Sequence, residues 1–161
     1  MLAEKITLCM ATPVDASTIA ALSRDDIEYG LPWSWTPARV ERAIRHRDVN
    51  VVVAKQAQVL VGFGIMQYGD QGANLNLLGV SKDQRRLGTG THIVEWLERV
   101  AVNAGIFDIV VQLRQQNVAA KAFYQGLGFE VIDHLPGYYG NHEVAIVMAK
   151  NLSALKESGD R

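Results

Sequence analysis

The run LNLLGVSKDQRRLGTG, residues 75–90, constrains the fold more than any other stretch of this chain. Its apolar part ends at Val80, a charged turn follows through Ser81, Lys82, Asp83, Gln84, Arg85 and Arg86, and Gly88-Thr89-Gly90 opens an amphipathic segment. That pattern predicts a strand, a glycine turn and a helix in immediate succession. The first turn of a helix leaves backbone N–H groups without intrahelical partners, and the macrodipole adds partial positive charge there. Glycines let the backbone approach a ligand closely and the two arginines add charge, so the turn is suited to a phosphate or diphosphate. Two familiar phosphate motifs are excluded: no Gly-Lys pair exists for a Walker loop, and Ile93 stands where a dinucleotide fingerprint needs its third glycine.

A chain of 161 residues with 48% hydrophobic and 20% charged residues can bury one sizeable core. Residues 1–150 read as a single domain and 151–161 as a polar, frayed tail. The formal net charge of -1 offers no basic surplus for nucleic acid, so any anion site must be local. The single cysteine, Cys9, reads as a small core residue in a reducing compartment. Glu4 and Lys5 interrupt any signal core, and no apolar run is long enough to span a membrane, so a cytoplasmic protein is expected.

Taken in order, residues 5–10 read as a strand, and Asp15 as the N-cap of a helix carrying Ile19, Leu22, Ser23 and Ile27, with Asp25, Asp26 and Glu28 on a solvated face. Gly30 and Pro32 break it, and the loop LPWSWTP leads to a second helix at Thr36 (N-cap) and Pro37. Strands at 50–54 and 58–67 form a hairpin around Lys55-Gln56-Ala57, and the central strand covers 73–80. The helix 90–104 buries Ile93, Leu97, Val100 and Ala101, with Glu95, Glu98 and Arg99 opposite. A strand at 107–113, a helix from Asn117 to Gly128, and strands at 129–134 and 142–150 complete the order. The fold class is α/β (α+β): a mixed, mostly antiparallel sheet of about seven strands flanked by four helices.

This order, with Arg85-x-x-Gly88-x-Gly90 and Asn117-x-x-Ala120-x-x-x-Tyr124-x-x-x-Gly128-Phe129, resembles the GNAT superfamily of acetyl-CoA-dependent N-acetyltransferases. The resemblance implies that the cofactor is acetyl-CoA. Its diphosphate would lie on the backbone of Arg86, Leu87, Gly88, Thr89, Gly90 and Thr91, with Arg85 alongside. Its pantetheine arm would pair like a strand with Leu78, Gly79 and Val80 and touch Asn117, and Tyr124 would face the thioester sulfur. Dimers are common in that family, so a homodimer is a further expectation.

The residues themselves agree. Asn117 and Tyr124 are two helical turns apart and share one stripe. When an amine attacks a thioester the oxyanion must be stabilised, which a strand N–H can do, and the leaving thiolate must be protonated. A phenol with an ordinary pKa of about 10 is protonated at neutral pH and competent for that second task. Many family members carry a glutamate on the central or the following strand to take the amine proton; here those positions hold Asn74 and Gln112. The remaining candidates are Asp70, Glu28, Glu143, or a water held by Asn74 and Gln112, the last ranking first.

An α-amine of pKa about 8 is roughly one-tenth neutral at pH 7, whereas a lysine amine near 10.4 is neutral to only about four parts in ten thousand. The gap is worth about 3 kcal/mol, so weak base provision favours an α-amine acceptor. Tyr138-Tyr139 followed by His142-Glu143-Val-Ala-Ile-Val-Met148, and the early Pro32-Trp33-Ser34, are similar to segments of the bacterial ribosomal-protein N-terminal alanine acetyltransferases. Trp33, Asn74, Gln112, Tyr138 and Tyr139 are therefore the substrate-binding candidates, with His142 a possible proton shuttle. The alternatives are a small-molecule amine acetyltransferase acting on an amino acid, polyamine or antibiotic, and a non-catalytic acyl-CoA-binding module. His46, His92, His134 and His142 show no metal-ligand spacing, and no metal is expected.

Overall fold

The structure, a computed structural model, describes residues 5–85, 87–137 and 143–155. Strands β1 (Thr7–Met10), β2 (Val49–Gln56), β3 (Val59–Tyr68), β4 (Ala73–Val80), β5 (Asp108–Arg114), β6 (Glu130–Pro136) and β7 (Val144–Asn151) make one sheet in the order β1-β2-β3-β4-β5-β7-β6. Among the described residues four α-helices of seven residues or more accompany it: α1 (Ala16–Leu22), α2 (Pro37–Arg45), α3 (Thr89–Asn103) and α4 (Val118–Gly126). The pairs given by β1–β2, β2–β3, β5–β7 and β6–β7 are antiparallel and β4–β5 is parallel, as expected for the mixed sheet. The chain divides into two compact units: residues up to Gln67 with Leu77–Arg99, and Tyr68–Asn76 with residues from Val100 onward.

In the first unit, alternation along β2 and β3 sorts side chains to two faces. Val51, Val53, Phe63 and Ile65 join Ile19, Ala20, Trp35 and Val40 in the core under α1 and α2. On the other face β3 presents Gly62 and Gly64, where added Cβ atoms would come within 3.1 Å of Ile93 and 2.8 Å of the same side chain respectively. The two glycines let α3 lie directly on the strand. Thr36 caps α2 by accepting from Arg39 N–H at 3.4 Å, with Pro37 in the first turn, as the sequence predicts.

Several local expectations are corrected. The hairpin turn is Ala57-Gln58, both at positive φ (52° and 69°), one residue later than expected, because a register shift at Ala54/Lys55 lets Gln56 pair with Val59. Asp15 does not cap α1 forwards; it accepts from Thr12 N–H at 2.9 Å and pairs with Lys55 at 3.2 Å. Cys9 is exposed because β1 is an edge strand. Glu98 is buried on the same side of α3 as Val94, Leu97 and Ala101.

In the second unit, β4 pairs with β5 through Ala73–Leu75 and Ile109–Val111, and β5 is flanked by β7 along its length. Just beyond β7, Leu152 is buried and its N–H donates to Phe107 O at 2.6 Å. No helix among the described residues is long and apolar enough to cross a membrane.

Candidate active site

In the first unit, β4 ends and the turn begins with Ser81 N–H donating to Val61 O at 2.8 Å. A single 3₁₀ turn, Lys82–Gln84, is anchored by Gln84, a buried side chain whose Nε2 donates to Gln56 Oε1 at 2.7 Å. Nothing in the sequence pattern flagged that anchor. Gly88 then takes φ +86°, a left-handed conformation natural to glycine, and a Cβ placed there would meet nothing within 4 Å. The first intrahelical rung of α3 runs from His92 N–H to Gly88 O at 3.0 Å, so the amides of Thr89, Gly90 and Thr91 precede it. Thr89 is buried with its methyl toward Gly62, while Leu87 is exposed. The structure thus brings Leu87, Gly88, Thr89, Gly90 and Thr91 into one open turn at a helix N-terminus, a geometry that fits a diphosphate.

Arg85 folds back rather than outward: its Nε donates to Val80 O at 3.3 Å and its guanidinium lies 3.9 Å from Asp26. Arg86 lies outside the described residues. Leu78, Gly79 and Val80 are half-buried at the end of β4, and Gly79 is required by packing, since a Cβ there would come within 2.6 Å of the Phe63 ring and 3.2 Å of Ile27.

In the second unit, Asn117 is the N-cap of α4, its Oδ1 accepting from Ala120 N–H at 3.1 Å. Only its amide N–H groups are left to donate to a ligand. Two turns on, Tyr124 is 6% exposed, its ring edge-on to Phe123 (centroids 5.1 Å apart) and to Phe129 (5.4 Å). Burial pushes the Tyr124 phenol above its ordinary value of 10.0, so the group stays protonated across the neutral range. Gly128, at φ +97°, closes the helix as the sequence predicts.

Asn74 and Gln112 are exposed, and Asn74 is level with Val110 in the parallel ladder. Gln112 therefore points to the same side one residue pair further on, roughly 7 Å along the strand. Among the candidate bases, Asp70 is exposed in a turn, and Glu143 is engaged by Arg114 at 3.6 Å and by Gln116 Nε2 at 3.0 Å. Tyr138, Tyr139 and His142 lie outside the described residues. No cluster of three or more metal-ligating side chains occurs among the described residues.

Glu28 corrects the sequence reading most. It is buried, 7% exposed, not on a solvated face. Ser23 Oγ (2.9 Å) and Trp35 N–H (3.1 Å) donate to one oxygen, and Ser34 N–H (2.8 Å) and Ser34 Oγ to the other. Burial pushes this carboxyl up, but the donors from Ser34, Ser23 and Trp35 outweigh it and hold the group below its ordinary value. With two donors on each oxygen, Glu28 is held as an anion by its own neighbours. Trp33, on the loop that Glu28 ties down, is 37% exposed with the Arg24 guanidinium 5.3 Å over its ring.

Residues 18–129 match the acetyltransferase (GNAT) family, and the chain belongs to that family. It is 37% identical over 94 residues to an uncharacterized N-acetyltransferase of Methanocaldococcus jannaschii, covering 56% of this chain and 59% of that protein. The chain thus spans little more than half the length of that relative. It is 27% identical over 149 residues to the ribosomal protein bS18-alanine N-acetyltransferase of Salmonella typhimurium, covering 85% of this chain and 99% of that one. In fold it resembles a PaiA N-acetyltransferase of Thermoplasma acidophilum solved in complex with coenzyme A, with a TM-score of 0.79 and 17% identity over 91% of this chain and 99% of that chain.

Proposed function

We propose that this chain transfers the acetyl group of acetyl-CoA to a primary amine by direct attack, with the α-amine of a peptide or protein N-terminus as the favoured acceptor. The observation that carries the reading is the open turn at Gly88, with the amides of Thr89, Gly90 and Thr91 ahead of the first helical rung, in a chain of the GNAT family. Those amides would hold the diphosphate, with Arg85 and Arg86 supplying charge beside it. The backbone of Leu78, Gly79 and Val80 would pair with the pantetheine arm, and the Asn117 amide would donate to it. Acetyl-CoA, when bound, supplies an activated acyl carbon and a thiolate leaving group.

The acceptor must arrive as a neutral amine. When that amine displaces the thiol, Tyr124 would give its phenolic proton to the departing sulfur and the new amide nitrogen would shed its proton to water. Water would return a proton to the phenolate, so that the phenol is restored and no net proton is gained or lost. A water held by Asn74 and Gln112 is the route for the proton leaving the nitrogen, because Glu28 is saturated with donors and Glu143 is ion-paired. With Glu28 and Glu143 both engaged by neighbours, base provision is weak and an acceptor of lowered pKa is favoured, which supports an α-amine over a lysine side chain. The likeness over nearly its whole length to an N-terminal alanine acetyltransferase supports the same choice. Trp33, Tyr138 and Tyr139 are assigned to the peptide. The reading takes residues 1–150 as one catalytic domain acting in the cytoplasm as a homodimer, without nucleic acid or membrane.

Incubation with acetyl-CoA and two panels, short peptides with free N-termini and small amines, tests the proposal by thiol release. Turnover of peptides is expected. Turnover of small amines alone would overturn the peptide acceptor, and CoA binding without turnover of either panel would leave an acyl-CoA-binding module.

A further inference from the structure

We infer that Glu28 is a positioning residue for the acceptor, fixing the segment between α1 and α2 in the conformation that presents Trp33 and Tyr29. The inference rests on the acyl-transfer reading above and names a part of its acceptor recognition.

The geometry starts in α1. After Leu22 the helix widens into one turn of π-helix, Ser23–Ile27, closed by Glu28 N–H donating to Ser23 O at 2.7 Å. Such single-turn insertions are frequent at functional sites, where they re-aim the residues that follow. Here the turn swings Glu28 inward. Leu31 N–H caps the Glu28 carbonyl at 2.8 Å, and the carboxylate then collects the backbone N–H groups of Ser34 and Trp35 and the hydroxyls of Ser34 and Ser23.

The segment from Gly30 to Thr36 has no helix or strand to order it. Fixing a residue of irregular backbone costs about 1–2 kcal/mol, and the Glu28 contacts offset that cost together with the burial of Trp35. Two tryptophans two residues apart are thereby given opposite fates. Trp35 is buried in the core under the Arg39 guanidinium, 3.8 Å from its ring, and serves as an anchor. Trp33 and Tyr29 are left facing solvent at 37% and 76% exposure. Large aromatic surfaces held rigidly in the open bind a peptide backbone at low entropic cost. A buried carboxylate is poor value as a stabiliser compared with an apolar replacement, whereas it does specify one conformation.

Steady-state kinetics on the full chain test this with Glu28→Gln and Glu28→Ala. Glutamine keeps one accepting oxygen for Ser34 but turns an N–H group toward Trp35 N–H. Acceptor KM is expected to rise about threefold for Glu28→Gln and at least about tenfold for Glu28→Ala, with kcat and the acetyl-CoA KM within about twofold of wild type. Quenching of tryptophan emission by the acceptor gives its Kd independently of turnover and must weaken in the same order. If Glu28→Ala does not fold, Glu28→Gln and Trp33→Ala carry the test, Trp33→Ala raising acceptor KM alone. An unchanged acceptor KM in folded Glu28→Gln would overturn the inference, as would a fall in kcat with KM unmoved, which would return Glu28 to proton transfer. If the wild type takes small amines and no peptide, the peptide reading fails on its own, and the same KM comparison made with the amine decides the role of Glu28.

Discussion

Glu28 and Tyr124 are buried to nearly the same degree, 7% and 6% exposed, yet their protons are held in opposite senses. Burial raises the pKa of both, since each is an acid whose charged form is disfavoured away from water. At Tyr124, burial among Phe123 and Phe129 raises the pKa and the phenol keeps its proton. At Glu28 four donors reverse it and the carboxylate keeps its charge. Of the two, the phenol carries a proton at neutral pH, on which the proposed transfer to sulfur would draw, and the carboxylate carries none and holds a loop. The two proposed roles, one reacting and one positioning, rest on that difference more than on residue type.

The comparison can be broken at either end. The largest effect on stability is expected from Glu28→Ala, which strands the N–H groups of Ser34 and Trp35 without their acceptor and should cost about 3 kcal/mol in urea unfolding. A loss under about 1 kcal/mol would show that the four donors are not what orders the segment. Ser34→Ala removes one hydroxyl donor and keeps the backbone one, so about 1–2 kcal/mol is expected by the same measurement. At the other end, Phe129→Leu removes one of the two rings against Tyr124 and should cost about 1 kcal/mol. The smallest effect is confined to acid. Because the folded pKa of Glu28 lies below its ordinary 4.5, its contribution is present above that value and is lost as pH falls through the folded pKa. Wild-type melting temperature should therefore drop more steeply below about pH 4.5 than that of Glu28→Gln, and parallel curves would deny the shift.

The two regions also differ in how far they can be read from the chain. The strand 73–80, the glycine turn and the helices opening at Thr89 and after Asn117 are set by signals within a few residues: apolar runs, a glycine at positive φ, an Asx cap. The segment between α1 and α2 depends on a side chain bonding residues six and seven positions later, which follows neither the helical nor the strand period. Ser34, a polar residue lodged between two tryptophans after Pro32, was the one available hint. Cys9 misled because an apolar run on an edge strand looks like one in the middle of a sheet. Ala57 and Gln58 gave no sign of a left-handed turn because neither is glycine or asparagine.

The central claim is that the Tyr124 phenol protonates the leaving thiolate, and Tyr124→Phe tests it most directly, since it removes one hydroxyl and leaves the ring between Phe123 and Phe129. Turnover with a saturating acceptor should fall at least about tenfold while the Kd for acetyl-CoA, measured by titration, stays within about twofold of wild type. Equal rates for the two proteins would remove Tyr124 from the chemistry.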